Sequence, residues 1–244
     1  MEIRDHYIQK PIVRYTEVLL PEQAGEPVRR RIPVLSEHLL EICVNCSVTI
    51  KVVCAAEHLT ELVLGRLLTE GLISGTEEVE SIEICSSGAR AEVLLRDRTA
   101  AVRPLRPVGA SRWDPRWVLE LAEEFEKDTP LHTETRSTHS CFLACQGKLL
   151  ACREDIGRHN AMDKVFGYAL THGIDPKQQL LYSSGRIPVD MALKAIRAGI
   201  PVLATKEAAT YEAVELAGEY GLTLVCNAKK GRMNIYPPAN ICQI

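Results

Sequence analysis

Twelve consecutive residues, Arg153 to Lys164, read R-E-D-I-G-R-H-N-A-M-D-K and crowd charge, a glycine, an imidazole and an amide between two apolar segments. Residues of these types can grip an anion or move a proton. Upstream, Lys148 to Cys152 reads as a buried strand. Downstream, Ala161, Val165, Phe166 and Ala169 fall at helical spacing until Gly173 can end the helix. The charged set therefore occupies a strand-to-helix turn. Gly157 permits a tight or left-handed backbone there, and Asn160 followed by Asp163 matches an N-cap with an acidic residue at N3. Arg158 and His159 would then flank a helix N-terminus, whose free N–H groups and dipole attract anions. Glu154 and Asp155 would orient Arg158 or an amine of the ligand, while Asp163 and Lys164 would cap and pair on the helix. An ordinary charged surface turn carries the same residue types, so the rest of the chain has to decide.

Positioning such a turn requires elements on either side. Through residue 106 the chain alternates in the strand manner, with R-R-R-I-P-V-L and E-I-C-V-N-C-S-V-T-I-K-V-V-C, and a hairpin is expected at Val44 to Ser47. Leu59, Leu62, Val63, Leu67 and Leu68 mark one amphipathic helix stopped by Gly71, and Ile82 to Leu95 reads as a second hairpin around Ser86, Ser87 and Gly88. Proline and arginine then break the pattern from Ala100 to Pro115. Asp114 and Pro115 suit the N-cap and first turn of a helix carrying Trp117, Leu121 and Phe125 inward. Beyond that boundary a unit of apolar strand, polar turn and helix recurs, as in L-L-Y-S-S-G-R-I-P and I-P-V-L-A-T-K-E. The expected division is a β-rich part, 1–106, followed by an α/β part, 107–244, with an open mixed sheet. Ligands of such sheets bind beyond the carboxyl ends of the strands. That edge collects Arg158, His159, Arg186, Lys206, Lys229, Lys230 and Arg232, a set suited to a phosphate-bearing small molecule.

Composition narrows the classes of function. The 244 residues are 46% hydrophobic and 25% charged with a net charge of −3, which gives no general attraction to nucleic acid. No apolar run is long enough to span a bilayer and no signal peptide is legible, so a cytoplasmic location is expected, away from membranes. Nine cysteines, an odd number scattered through strand-like segments, do not make a disulfide framework. Cys54, Cys85 and Cys226 read as small core residues. Cys43 and Cys46 have redox or metal spacing, yet no second pair completes a zinc site.

The twelve-residue run with V-F-G after it, S-S-G-R-I-P with K-A-I-R-A-G-I-P, and G-R-M-N-I-Y together resemble the FdhD family of formate dehydrogenase accessory sulfurtransferases. L-G-R-L-L-T-E-G-L-I, Leu64 to Ile73, agrees more loosely. The resemblance implies a cytidine-deaminase-like three-layer α/β domain. It implies sulfur transfer from a cysteine desulfurase to a molybdenum or tungsten bis-guanine-dinucleotide cofactor for formate dehydrogenase or a related molybdoenzyme, and it implies a homodimer. Carried onto this sequence, the cofactor contacts are Arg158, His159, Asn160, Ser184, Gly185 and Arg186, followed by Asn227, Ala228, Lys229, Lys230, Gly231 and Arg232.

Two departures touch the chemistry. The family's sulfur-carrying cysteine lies in a loop matched here by Pro107 to Trp113, P-V-G-A-S-R-W, which has none. The family's T-G-G-x-H is Thr135 to His139 here, with Arg136 and Ser137 in place of both glycines. Cys141, two residues after His139, is the substitute nucleophile expected from position, with Cys152 behind it. Sulfur transfer through a relocated cysteine therefore stands beside a second reading, a cofactor carrier without sulfur chemistry. A zinc deaminase is excluded, because the Pro-Cys-x-x-Cys ligand pair is absent; no metal of the protein's own is expected.

Overall fold

In a computed structural model the chain is described over residues 1–21, 26–125, 127 and 129–238. The first part contains β1 (Glu2–Asp5), β2 (Val13–Leu20), β3 (Val28–Leu35), β4 (His38–Val44), β5 (Val48–Cys54), α1 (Leu59–Glu70), β6 (Val79–Ile84) and β7 (Arg90–Leu95). Next come α2 (Pro115–Phe125), α3 (Pro130–Thr135), β8 (His139–Cys145), β9 (Lys148–Asp155) and α4 (Arg158–Thr171). The chain continues with β10 (Leu180–Ser183), α5 (Val189–Ala198), β11 (Val202–Thr205), α6 (Tyr211–Tyr220), β12 (Thr223–Lys229) and β13 (Arg232–Tyr236).

Two mixed sheets result, ordered β1-β6-β7-β4-β5 and β13-β12-β11-β10-β8-β9, and β2 pairs with β3 in a separate ribbon. In the second sheet β10, β11 and β12 run parallel, so their carboxyl ends share one edge, and antiparallel β8 begins at that same edge. Alternation sorts the side chains of this sheet. Phe142, Ala144, Leu180, Tyr182 and Val225 pack under Val118, Leu121 and Phe125 of α2. Cys141, Leu143, Leu181, Leu203 and Cys226 point to the other face and join the cluster of α1, α4, α5 and α6. Helices on both faces make this part three-layered, a mixed α/β architecture.

The expected boundary near residue 106 does not divide the hydrophobic core. One continuous apolar cluster runs from Leu40 and Val93 of the first sheet through α1 to Leu203 and Leu224 of the second. Helix α1 is consequently buried almost all round rather than on one stripe, with Leu59, Leu62, Val63, Leu64, Leu67 and Leu68 all inside. It meets α4 backbone to backbone. A Cβ at Gly65 would lie 1.7 Å from the Asp163 carbonyl oxygen, and one at Gly167 would lie 1.8 Å from that of Glu61. Both crossing points therefore require glycine, and this close approach locks the two parts of the chain together.

Several sequence expectations meet the structure directly. The Val44–Ser47 hairpin turns through Asn45 and Cys46 at φ 50° and 57°, the left-handed pair that a two-residue hairpin turn demands. Cys43 is buried on β4 while Cys46 is exposed in the turn, and no group of metal-ligating side chains forms among the described residues. Burial pushes the Cys54 thiol up to about 12 and that of Cys226 up to about 11, as core thiols require. Cys85 departs from the expected core role. It sits half-exposed beside the turn, where the Ser87 hydroxyl, 3.2 Å from its sulfur, draws the thiol below its ordinary value. No described helix is long and apolar enough to cross a membrane.

Candidate functional site

A cavity of about 550 Å³ opens at the carboxyl edge of β10, β11 and β12, the edge the strand order singles out. Its floor is apolar, from Ala122 and Phe125 of α2 with Tyr182 of β10, and α3 forms a wall through His132, Thr133 and Arg136. The strand ends bring Ser184, Gly185 and Arg186 after β10, Lys206 and Glu207 after β11, and Lys229 at the end of β12. Arg158 enters from the first turn of α4. Gly185 makes room for it, since a Cβ there would lie 2.7 Å from Arg158 Cδ.

Among the described residues, Arg136, Arg158, Arg186, Lys206 and Lys229 thus line one cavity with a single carboxylate, Glu207. None of the five has an ion pair or a side-chain hydrogen bond among the described residues. Arg158 Nε is shielded from solvent and lacks an acceptor, and Lys206 Nζ rests 5.8 Å from the Phe125 ring centroid. Unpaired cations around an apolar floor repel one another until an anion arrives. At the centre, Ser184 Oγ accepts the Ser140 N–H at 3.0 Å and holds His139 Nδ1 at 3.0 Å. His132 Nδ1 lies 2.8 Å from the Thr138 carbonyl, which can only accept, so Nδ1 carries that ring's proton.

Burial holds the His139 imidazole below its ordinary value, and repulsion from Arg158, His132 and Lys206 adds to this. Such a depressed group favours the empty fold above about pH 6.5, and this contribution is lost as pH falls through the folded value. An anion in the cavity reverses the preference, so binding takes up a proton. Affinity for sulfate, whose own charge is constant in this range, is expected to rise between about pH 7.5 and pH 5.5. Titration calorimetry on the wild type and His139→Gln checks this; a rise of equal size in both proteins would assign it elsewhere.

Of the residues expected at the site, the structure gathers His139, Arg158, Ser184, Gly185, Arg186 and Lys229 around the cavity. The others lie elsewhere for identifiable reasons. Cys141 is fully buried on the opposite face of β8, where burial drives its thiol well above the ordinary range and withholds the nucleophilic thiolate. His159 turns away to Asp190, 3.2 Å off. Asn160 is not the N-cap: Ala161 N–H bonds to Gly157 O at 3.0 Å, so the helix starts at Arg158 with Gly157 as cap. The Asn160 amide instead donates to Val53 O at 2.7 Å and Asp155 Oδ1 at 2.9 Å.

In the 227–232 stretch Asn227 occupies a left-handed bulge and Ala228 is buried, its carbonyl accepting the Tyr182 hydroxyl at 2.6 Å. Lys230, Gly231 and Arg232 form the exposed turn from β12 to β13, leaving Lys229 alone of the six on the cavity. The matched cysteine loop lies at the other end of the sheet. Val108 N–H bonds to Tyr220 O at 2.7 Å, and Gly109 to Trp113 border Pro201 and Thr223, where β11 and β12 begin. None of the eight described cysteines lines the cavity, and the ninth, Cys242, lies outside the described residues.

Glu154 and Asp155 do not orient Arg158. Glu154 caps α3, accepting the Leu131 and His132 N–H groups at 2.9 and 2.8 Å, and so fixes the cavity wall. Asp155 pairs with Lys164 at 2.6 Å in the interior. Asp163 likewise binds Lys194 at 2.5 Å instead of capping its own helix. Sequence reasoning passed over His132 and the α3 wall, and named Arg136 only as a departure from the family's pattern. Pro130 at a helix start and the downstream carboxylate Glu154 were the available signals, and a six-residue helix carries too little periodicity to be read.

Comparisons with known proteins bear on the fold and the family. The crystal structure of a formate dehydrogenase accessory protein from Desulfotalea psychrophila superposes with a TM-score of 0.79 at 27% identity, covering 93% of this chain and 97% of that one. Sulfur carrier protein FdhD of Shouchella clausii is 29% identical over 88% of this chain and 91% of its own length. The protein of that name from Staphylococcus haemolyticus is 30% identical over 92% of each chain. The FdhD/NarQ family model matches residues 35–106 and 94–241, overlapping segments that take in β4 to β7 of the first sheet, all of the second and the cavity, and the chain belongs to that family.

Proposed function

We propose that this protein binds the guanine-dinucleotide form of a molybdenum or tungsten cofactor and holds it for a formate dehydrogenase or related molybdoenzyme, without itself carrying sulfur. The observation that carries this reading is the convergence of five cations, none paired among the described residues, on one cavity floored by apolar rings. Arg158, Arg186, Lys206 and Lys229 would hold phosphate oxygens, and Phe125 would offer the base an apolar surface. The bound cofactor would supply the metal centre on which the client's redox chemistry depends. Chain residues would bind and orient the nucleotide, and His139 would adjust its proton as the negative charge enters.

Sulfur transfer is the competing reading, and family membership speaks for it. It needs a thiolate that reaches the ligand, whereas Cys141 is sealed in the core and the matched loop lacks a cysteine. Incubation with a cysteine desulfurase and cysteine without oxygen, followed by intact-mass measurement, is expected to show no added sulfur, while GDP gives a measurable heat of binding. A persulfide on any mapped cysteine would restore the transfer reading. Absence of GDP and pyrophosphate binding would remove the carrier reading.

A further inference from the structure

The cavity's cations come from two separate supports. Arg158 and Arg186 flank Gly185, with Lys206 and Lys229 at the adjoining strand ends, so these four belong to the sheet edge. Arg136 comes from α3, the wall whose position is fixed by Glu154 and by Tyr15 of the β2–β3 ribbon, the latter through a 3.2 Å bond to Glu134. Arg136 closes α3 at φ 56° and ψ 16°, its N–H bonding to His132 O at 2.8 Å. Glycine adopts this left-handed conformation freely, whereas a residue with a Cβ adopts it at a cost. A long cation nevertheless stands there and lines the cavity without an anionic partner among the described residues. A ligand carrying one phosphate needs only the sheet-edge set. A second anionic group next to the first would face the α3 wall.

We infer that Arg136 is a specificity-determining contact for the second phosphate of a diphosphate ligand, and this rests on the nucleotide reading of the cavity. The guanidinium fork suits two oxygens of one phosphate. The competing role is structural, because a cation also favours the carboxyl end of a helix. The two roles separate in measurement. By calorimetry, Arg136→Gly weakens GDP binding about tenfold and leaves GMP binding unchanged, a difference of one charge-assisted contact. Arg136→Lys, with the same backbone cost, loses less.

Without ligand, Arg136→Gly melts no lower than the wild type, since glycine relieves the left-handed residue. Equal GDP affinity in wild type and Arg136→Gly, or equal losses for GDP and GMP, would overturn the inference while leaving the cavity a nucleotide site. A lower melting temperature with a parallel loss of both ligands would assign Arg136 to helix closure and overturn it as well. If the wild type binds neither nucleotide, the nucleotide reading itself falls.

Discussion

Replacing Asp155 with alanine is expected to lower the free energy of unfolding by about 3–5 kcal/mol, the usual cost of stranding one partner of a buried ion pair. The site concentrates that cost. Asp155 and Lys164 are both fully buried with Oδ2 and Nζ 2.6 Å apart. The same carboxylate accepts the Ala55 N–H at 3.1 Å, the Asn160 amide at 2.9 Å and the Gly157 N–H at 3.2 Å. Lys164 in turn donates to Ala55 O at 3.0 Å and Glu154 O at 3.3 Å. Alanine leaves an ammonium and three donors facing a void in the interior. At roughly 2–4 °C per kcal/mol for a chain of this size, the melting temperature should fall by about 6–20 °C. Urea denaturation checks the free energy. Adding Lys164→Met to Asp155→Asn should recover much of the loss, because the stranded charge has gone; a double variant as unstable as Asp155→Ala would show that the hydrogen bonds, not the charge, dominate.

The second large effect concerns the cavity. Arg186→Glu is expected to weaken GDP binding by about 2–3 kcal/mol, roughly 30- to 150-fold, through loss of a charge-assisted contact and gain of repulsion against phosphate. Stability should be unchanged, since the exposed Arg186 side chain has no partner among the described residues to lose. Binding by the wild type should also weaken as salt rises, because surface cations are screened within about 10 Å at 0.1 M. Calorimetry at two salt concentrations tests both points. Undiminished affinity in Arg186→Glu would place the nucleotide site away from this edge.

These predictions fall on two different parts of the chain, Asp155 in the charged run and Arg186 in the turn after β10. The run Arg153–Lys164 is the most concentrated chemistry in the sequence, yet only Arg158 of its charged side chains lines the cavity. Arg153 grips Glu61 of α1 through two bonds of 2.5 and 2.8 Å, Glu154 caps α3, and Asp155 with Lys164 binds the end of β5. Asp163 reaches Lys194 of α5 and Thr69 of α1. The motif is therefore mainly a junction, holding the first sheet and α1 against α4. Charges dense enough to suggest a surface site are also what a crowded interior needs where backbone groups from separate segments must be satisfied.

The sequence by itself determined the local elements and the edge. Period-two runs placed β4 to β7, an apolar run placed β9, terminal glycines at 71, 199 and 221 closed α1, α5 and α6, and the recurrence of strand, turn and helix placed a cationic edge at Ser184–Arg186 and Lys229. These features follow from chain geometry over a few residues, which neighbouring letters encode. Tertiary structure alone decided which face of β8 carries Cys141, that Asn160 serves β5 rather than its own helix, and that α3 with Arg136 walls the cavity. Each depends on what packs against a residue from far along the chain: Val53 lies 107 positions from Asn160. A side chain's burial, and with it the charge or reactivity it can keep, is set by that distant neighbour.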